Sequence, residues 1–568
     1  MKKKTNVQHS FMHGSLILLI ATALVKVIGA VYRIPLANLL DESGMGYYST
    51  AYDLYLPMYS LAMAGLPVAI SRIVAEHIAA GRYNDVAVTL KVAKRAFWVT
   101  GGTGFLLMCL LSGPFISYTG NSGALLSVFC IAPCLLVCCI MSAYRGYYEG
   151  LKNMTPTAIS QVLEALGKLI LGYGLAFAVI KIRGDKSLET LSIAAAGALF
   201  GITLGTVIAA GYLIIKYHRD DPPFTKEQCD LAPKPASGSR TLKALVAIAV
   251  PIVLGSFATY ITSLIDVVMV QRQLAKALAD SPEIFEEMYK DFIAYRKTEV
   301  NASFELADLP NALYGVHRGY AYSIYNLVPV ITSVLGVSAI PILASAWTKK
   351  DSALVKSNIE TIFRTTALIA FPAGLGIFAL SGQILSILYS SEYAVSIATP
   401  NLRVLGVAAV FAGLTIPMTS MLQAIGKQKI PVRNIAVGAV IKIVVNFAVV
   451  GIPSVNIKGV PYGTLFCYAF IFIANFISLR KYSGVKFNVV SLIVKPFVAG
   501  AACAAAAYGV CMLGDSKIIT LAAICVAVVV YIIAIALLKA VEREDVLSLP
   551  KGETIAKLLE KVKIIDRQ

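Results

Sequence analysis

The run SLILLIATALVKVIGAVYRIPLANLL, from Ser15 to Leu40, is long enough to cross a bilayer yet carries Lys26 and Arg33 inside it. A spanning helix needs roughly 20 mostly apolar residues, and a charge near its centre costs at least about 2.5–3.5 kcal/mol. Charges persist at such depth where they face protein or a water-filled path. Residues seven apart differ by only about 20° around a helix of 3.6 residues per turn, so both cations project from one face. The chain must therefore fold around a two-cation stripe on its first helix.

Of the 568 residues, 57% are hydrophobic and 14% charged, with a mean hydropathy of +0.74. Soluble domains run nearer 45–50% apolar and about 25% charged, so the sequence predicts an all-α polytopic membrane protein. The opening MKKK followed by an apolar run has the start of a signal peptide, but the run continues past an h-region without a small-residue cleavage site. An uncleaved first helix is expected. The net charge of +18 does not call for nucleic acid, because the basic residues fall mostly on alternate loops. Nine of the ten cysteines lie in apolar spans, which implies no disulfide framework. Cys130, Cys134 and Cys138 repeat every four residues, as small residues do at a helix–helix contact. Five scattered histidines supply no metal-ligand spacing, so no metal is expected.

Apolar segments separated by polar or Gly/Pro punctuation predict about fourteen spans. With the N-terminus inside, loops bearing Arg82, Lys91 and Lys94, Lys349 and Lys350, Lys427 and Lys429, and Arg480 and Lys481 all become cytoplasmic, and the C-terminus with them. GLKNMTPTAISQVLEALGKLI from Gly150 resembles AIGKQKIPVRNIAVGAVIKIV from Ala424, pairing Lys152 with Lys427, Pro156 with Pro431 and Lys168 with Lys442. An offset of about 270 residues maps spans 1–6 onto 7–12, which predicts two parallel-repeat lobes plus two C-terminal helices. The expected organisation is an N-lobe over 1–217, a cytoplasmic linker over 218–240 and a C-lobe over 241–480. An acidic external insertion occupies 273–312, spans 13–14 lie within 481–540, and an amphipathic cytoplasmic tail occupies 541–568. In the insertion, Phe285, Met288, Tyr289 and Phe292 fall at helical spacing, for packing or for gating.

Counted along the helices, Arg33 and Asp53 share a depth of roughly 10 Å below the outer end, with Asp266 similarly deep in span 7 and Arg272, His317 and Arg318 nearer the outer mouth. Lys26 falls near the midplane. These groups either line a central cavity where cations meet a phosphate, or serve structure. In the structural case Arg33 and Asp53 neutralise each other, while Arg272 and Arg318 anchor at the headgroups. Arg72 with Glu76, and Glu164 with Lys168, stand at the i,i+4 spacing of helix-stabilising pairs, the first also being a candidate inner gate. No Walker A loop, nucleophile elbow or HExxH helix occurs. No catalytic residue and no cofactor is expected, and transport would draw on the membrane potential, a sodium or proton gradient, or the substrate's own gradient.

LVKVIGAVYRIPLANLL with GMGYYSTAYDLY, LPMYSLAMAGLPVAISRIVAEH, LIDVVMVQRQL, and ALYGVHRGYAYSIYNLVPVITSVLGVSAIPILASAW together resemble the multidrug/oligosaccharidyl-lipid/polysaccharide exporter superfamily. Within it the chain is similar to the branch of MurJ-type lipid II flippases and stage V sporulation protein B. The resemblance implies two lobes that alternately expose a cationic cavity in a bacterial cell membrane. They would move an undecaprenyl-pyrophosphate-linked glycan from the inner to the outer leaflet, with cell-wall synthesis enzymes as partners. It matches Lys26 and Arg33 to the family's first-helix basic positions, with Lys at 26 in place of the more usual Arg, and Arg318 to that of the eighth helix. The last two spans would supply a groove for the lipid tail. Two other readings stay open: export of small cationic drugs through a cavity dominated by Asp53 and Asp266, and a non-transporting scaffold for cell-wall or sporulation enzymes.

Overall fold

A computed structural model describes residues 2–63, 65–300, 303–514 and 516–542. Asn301, which with Ala302 and Ser303 has the form of a glycosylation sequon, and the amphipathic tail beyond Glu542 lie outside the described residues. Among the described residues the regular structure is helical throughout. Helices α1 (Lys2–Met63), α2 (Leu66–Ala79), α3 (Tyr83–Thr119) and α4 (Leu125–Gly150) are followed by α5 (Thr155–Gly167), which runs through a π-helical turn at Lys168–Gly172 into α6 (Tyr173–Arg183). Next come α7 (Leu188–Arg219), the short α8 (Lys226–Asp230) and α9 (Gly238–Asp280), then α10 (Pro282–Met288) and α11 (Lys290–Tyr295) within the expected insertion. The eighth expected span is broken into α12 (Leu309–Gly315), a π-helical segment Val316–Ala321, α13 (Tyr322–Tyr325) and α14 (Leu327–Thr348). The remainder is α15 (Ser352–Ala379), α16 (Ser381–Leu388), α17 (Glu392–Ala424), α18 (Lys429–Val450), α19 (Val460–Ser483), α20 (Lys495–Cys511) and α21 (Lys517–Leu537).

Among the described residues, twelve helices are long and apolar enough to cross a membrane, where fourteen were expected. Two differences account for this. The first two expected spans form one helical run, Ile20–Ala79, and the seventh, in α9, is uncharged and apolar from Leu245 to Thr262 but includes side chains outside the described residues, so it is not counted among the twelve. A straight run of that length would be about 90 Å, some three times the hydrocarbon core. It is interrupted at Asp41, where φ is 53° and ψ is −168°, so α1 has a first arm ending at Leu40 and a second starting at Glu42.

Elsewhere the boundaries follow local chemistry. Ser187, Asp351, Ser391 and Ser516 cap α7, α15, α17 and α21, each accepting a backbone N–H three residues on. Gly184 ends α6 at φ 73°, a conformation that needs no Cβ.

The chain forms two compact units. The first comprises Met1–Ala275 and Ile293–Gly315, the second Lys276–Phe292 and Val316–Gln568. Most of α9 thus belongs to the first unit, whereas repeat arithmetic groups it with the second half. The attachment has a physical basis: Gly65 lies directly against the Ala249 backbone, and the Gln271 amide donates to the Thr50 hydroxyl at 2.6 Å.

Hydrophobicity gives helices little reason to associate in lipid, so small residues and close backbones carry the packing. In the first unit α5 and α6 meet α7 through glycines: a Cβ on Gly167 would lie 2.4 Å from Gly205 Cα, and one on Gly201 would lie 2.3 Å from Gly172 Cα. In the second unit α17 is the central helix, burying Ala398, Leu405, Ala408, Ala409 and Ala412 against α14, α15 and α19. The duplicated passages sit alike within their own units. Lys152 and Gly426 adopt positive φ in the turns before α5 and α18, and Pro156 and Pro431 occupy the first turns of those helices.

The linker after α7 is folded onto the first unit. Asn84 Nδ2 donates to the Cys229 carbonyl at 2.8 Å, the Ala236 N–H donates to Asp85 at 2.7 Å, and Phe224 packs 4.6 Å from the Tyr83 ring. In the insertion, Phe285, Tyr289 and Phe292 are all buried, and the Tyr289 hydroxyl donates to Asn456 at 2.6 Å. Its helical spacing serves packing within the second unit.

Candidate functional site

The second arm of α1 places Tyr48, Tyr52, Tyr55 and Tyr59 at steps of four, three and four residues, which puts them on one helical face. Their rings form a ladder with centroids 5.7, 6.0 and 5.5 Å apart. Tyr32, on the first arm, stands beside it. Two cations lie against this wall. The Arg33 guanidinium is 5.5 Å from the Tyr52 centroid, and Lys168 Nζ is 5.2 Å from the centroids of both Tyr32 and Tyr52. Aromatic faces attract cations electrostatically without neutralising them. Among the described residues, no carboxylate lies within ion-pair distance of Arg33 or Lys168.

Lys168 is half-buried and opens the π-helical turn Lys168–Gly172. Turns of that kind re-aim side chains and recur at functional sites. The helical pair expected between Glu164 and Lys168 does not form. Glu164 instead accepts from Arg145 at 2.9 Å, and Arg145 also donates to Ser160 at the same distance. An i,i+4 spacing allows such a pair but cannot compete with a guanidinium on the neighbouring helix that offers several donors.

The expected residues separate by environment. Lys26 is half-buried on the face that carries Arg33, and near it Thr22 donates to Gln161 at 3.1 Å, fastening α1 to α5. Asp53 does not neutralise Arg33. It is buried and accepts from the Tyr314 hydroxyl at 2.8 Å. Asp266 is buried in α9 within the first unit. Arg272 is exposed and lies 4.4 Å from the Tyr118 centroid. Arg72 and Glu76 form a 2.8 Å ion pair with side chains 65% and 58% exposed, a surface helix pair.

In the second unit Arg318 is buried, its guanidinium 4.1 Å from the Tyr322 centroid. It is therefore no headgroup anchor. His317 is fully buried beside it. Lys442, the repeat counterpart of Lys168, is buried as well. The second unit also holds a cavity of about 440 Å³ between α15, α17 and α20, walled by Leu375, Phe378, Phe497, Ala501 and Ala505 with Arg403 beside them. Small side chains on α20 leave this space open.

No group of three or more His, Cys, Asp or Glu fit to hold a metal occurs among the described residues. Cys134 and Cys138 lie 3.6 Å apart in the packed interface of α4, with the Tyr55 and Thr206 hydroxyls 3.3 and 3.4 Å from Cys134. This is helix–helix packing. Lys168 and the tyrosine ladder escaped the sequence reading as parts of one site, although the ladder's spacing was visible there.

Residues 11–347 match the family described as polysaccharide biosynthesis protein, and residues 318–448 match MatE. The chain is 24% identical over 490 residues to the lipid II flippase MurJ of Bacillus subtilis (strain 168), covering 84% of each chain. It is 24% identical over 467 residues to stage V sporulation protein B of the same organism, covering 80% of each. Its fold is similar to that of a solved lipid II flippase MurJ in an inward closed conformation, with a TM-score of 0.64 at 12% identity, covering 92% of this chain and 98% of that one.

Proposed function

The chain belongs to the polysaccharide biosynthesis protein family, within the multidrug/oligosaccharidyl-lipid/polysaccharide exporter superfamily, and from that premise we propose that it is a flippase for a lipid-linked cell-wall precursor. The observation that carries this reading is the pair Arg33 and Lys168, two cations set against tyrosine rings with no carboxylate in ion-pair reach among the described residues. Their charge is left for an anionic ligand. Arg offers a planar fork for phosphate oxygens and Lys a point charge, and a pyrophosphate supplies acceptors for both. Lys26 extends the same stripe.

The substrate in this reading is an undecaprenyl-pyrophosphate-linked glycan, lipid II or a close relative, in wall or spore-cortex synthesis. It moves from the inner to the outer leaflet of a cell membrane, with both termini of the chain cytoplasmic. The cavity beside Phe378 and Phe497 suits a polyprenyl tail, because apolar and small side chains make up most of its walls, with Arg403 and Tyr508 the polar-tipped residues among them. Arg318, buried against Tyr322, meets the substrate only in a conformation that exposes it. The drive is the membrane potential, an ion gradient or the substrate's own gradient.

The MatE match over 318–448 favours a second reading, export of cationic drugs. That chemistry needs a carboxylate facing the transport path. Asp53 and Asp266, the two expected to supply it, are both about 1% exposed, so, like Arg318, they would meet a ligand only in a conformation that exposes them, whereas Arg33 and Lys168 stand half-buried against the tyrosines.

The test follows the outer-leaflet appearance of labelled lipid II in cells depleted of their own flippase and supplied with this protein. Restoration by the native chain and loss in Lys26→Ala, Arg33→Ala and Lys168→Ala at matched expression support the reading. Failure of the native chain, with correct membrane insertion, removes lipid II as the substrate.

A further inference from the structure

A strained, non-glycine backbone position lies at Asp41, between the two arms of α1. Its φ of 53° and ψ of −168° fall in a region that essentially only glycine enters freely, and such strain persists only where the surroundings over-determine it. Those surroundings come largely from the insertion. Arg296 is fully buried there. Its Nη1 donates to Glu42 at 3.0 Å and stands 3.9 Å from Asp41, and its Nη2 donates to Ser43 at 3.2 Å. The guanidinium also lies 5.4 Å from the Phe304 centroid. Lys186 holds Asp41 from another side at 2.9 Å. Asn311 donates to the Ser43 carbonyl at 3.0 Å, and Gly315 lies so close that a Cβ there would fall 1.8 Å from the Glu42 carbonyl oxygen.

This knot joins the two arms that carry the cation and its aromatic partner. Arg33 sits on the first arm, roughly 12 Å from the break, and Tyr52 on the second, roughly 16 Å from it. A change of about 10° in the angle between the arms displaces groups at that range by about 2–3 Å. The Arg33 to Tyr52 separation is already 5.5 Å, close to the roughly 6 Å limit of a cation–π contact. The placement of Arg33 is therefore sensitive to whatever fixes the break.

We propose that Arg296 is a positioning residue: from the external insertion it sets the angle between the arms of α1 and so holds Arg33 against Tyr52 in register for a pyrophosphate. The claim rests on reading Arg33 as a pyrophosphate contact. It gives the insertion a role in the first unit that neither its acidic composition nor its helical spacing reveals.

The test is a double-mutant cycle on the purified full chain in detergent, with undecaprenyl pyrophosphate as the probe. It is paired with amide hydrogen exchange of peptides covering residues 38–48. Arg296→Ala should weaken binding about ten-fold and speed exchange over 38–48, while Arg33→Ala weakens binding without changing exchange there. The double variant should bind no more than about two-fold worse than Arg33→Ala, because both act through one contact. Arg296→Lys, which keeps a cation at Glu42 with fewer fixed donors, should recover part of the loss. Losses that multiply to about a hundred-fold, unchanged affinity in Arg296→Ala, or unchanged exchange over 38–48 each overturn the proposal. Should Arg296→Ala not fold, Glu42→Gln, which keeps the acceptor but removes its charge, takes its place in the cycle. If the native chain binds no undecaprenyl pyrophosphate yet exchange rises in the variant, the pyrophosphate reading fails while the hold of Arg296 on the break stands.

Discussion

The side chains that matter most here are distinguished by what they lack as much as by what they touch. Arg33 and Lys168 have ring faces for neighbours and no carboxylate in ion-pair reach among the described residues, whereas Asp53 is committed to Tyr314 and Glu164 to Arg145. Replacing Lys168 by Met keeps its length and removes its charge. A hydrogen bond to a charged group contributes about 1.5–3 kcal/mol, so Lys168→Met should lower substrate affinity at least about ten-fold while leaving thermal stability in detergent near native. Arg72 with Glu76 is the contrasting case. The pair is well exposed, and exposed pairs contribute about 0–1 kcal/mol. Arg72→Ala should change neither the melting temperature by more than a few degrees nor the flipping rate. A large loss of rate would restore the inner-gate role that the exposure argues against. The i,i+4 reading was sound for this pair and failed for Glu164 because sequence spacing is blind to what the next helix brings.

Elements position these side chains through backbone contact. The π-helical turn that aims Lys168 is pressed against α7 at Gly172 and Gly201, with a second close approach at Gly167 and Gly205. A methyl at Gly201 or Gly205 has only backbone to meet, and overpacking of that kind costs about 1–3 kcal/mol. Gly201→Ala and Gly205→Ala should both lower the melting temperature in detergent and weaken substrate binding together, since Lys168 moves with its turn. Gly174→Ala is the control, because nothing lies within 4 Å of its built Cβ; there the substitution should be neutral or stabilise by up to about 1 kcal/mol. The existence of α3 to α7 was legible from apolar length and from the punctuation between spans. The break at Asp41 was not, because an aspartate in left-handed backbone leaves no composition signal and is held by residues some 250 positions away, Arg296 among them.

At the scale of the molecule, each unit holds a different feature: cations against tyrosines in the first, a mostly apolar cavity in the second. If that cavity receives a polyprenyl tail, filling it should penalise long tails selectively. Ala505→Trp should reduce flipping of a long-chain polyprenyl substrate several-fold more than that of a short-chain analogue carrying the same headgroup. An equal effect on both would remove the tail from this cavity. The basis is steric, as an indole takes a large share of a space of about 440 Å³.

Sequence by itself determined that this chain is a helical, multi-pass membrane protein of the exporter superfamily, with two cations on one face of its first helix and a duplicated turn-and-helix. Those properties are local or periodic: apolar runs, charge on alternate loops, residues seven apart on one helix. Tertiary structure alone decided that Asp53 does not neutralise Arg33, that Lys168 joins Arg33 against the tyrosines, that α9 packs mainly with the first unit, and that an insertion residue grips the break in α1. Each of these depends on which of several available partners a polar group meets when helices far apart in sequence come together. In a medium that offers few other hydrogen-bonding partners, that choice is fixed by geometry.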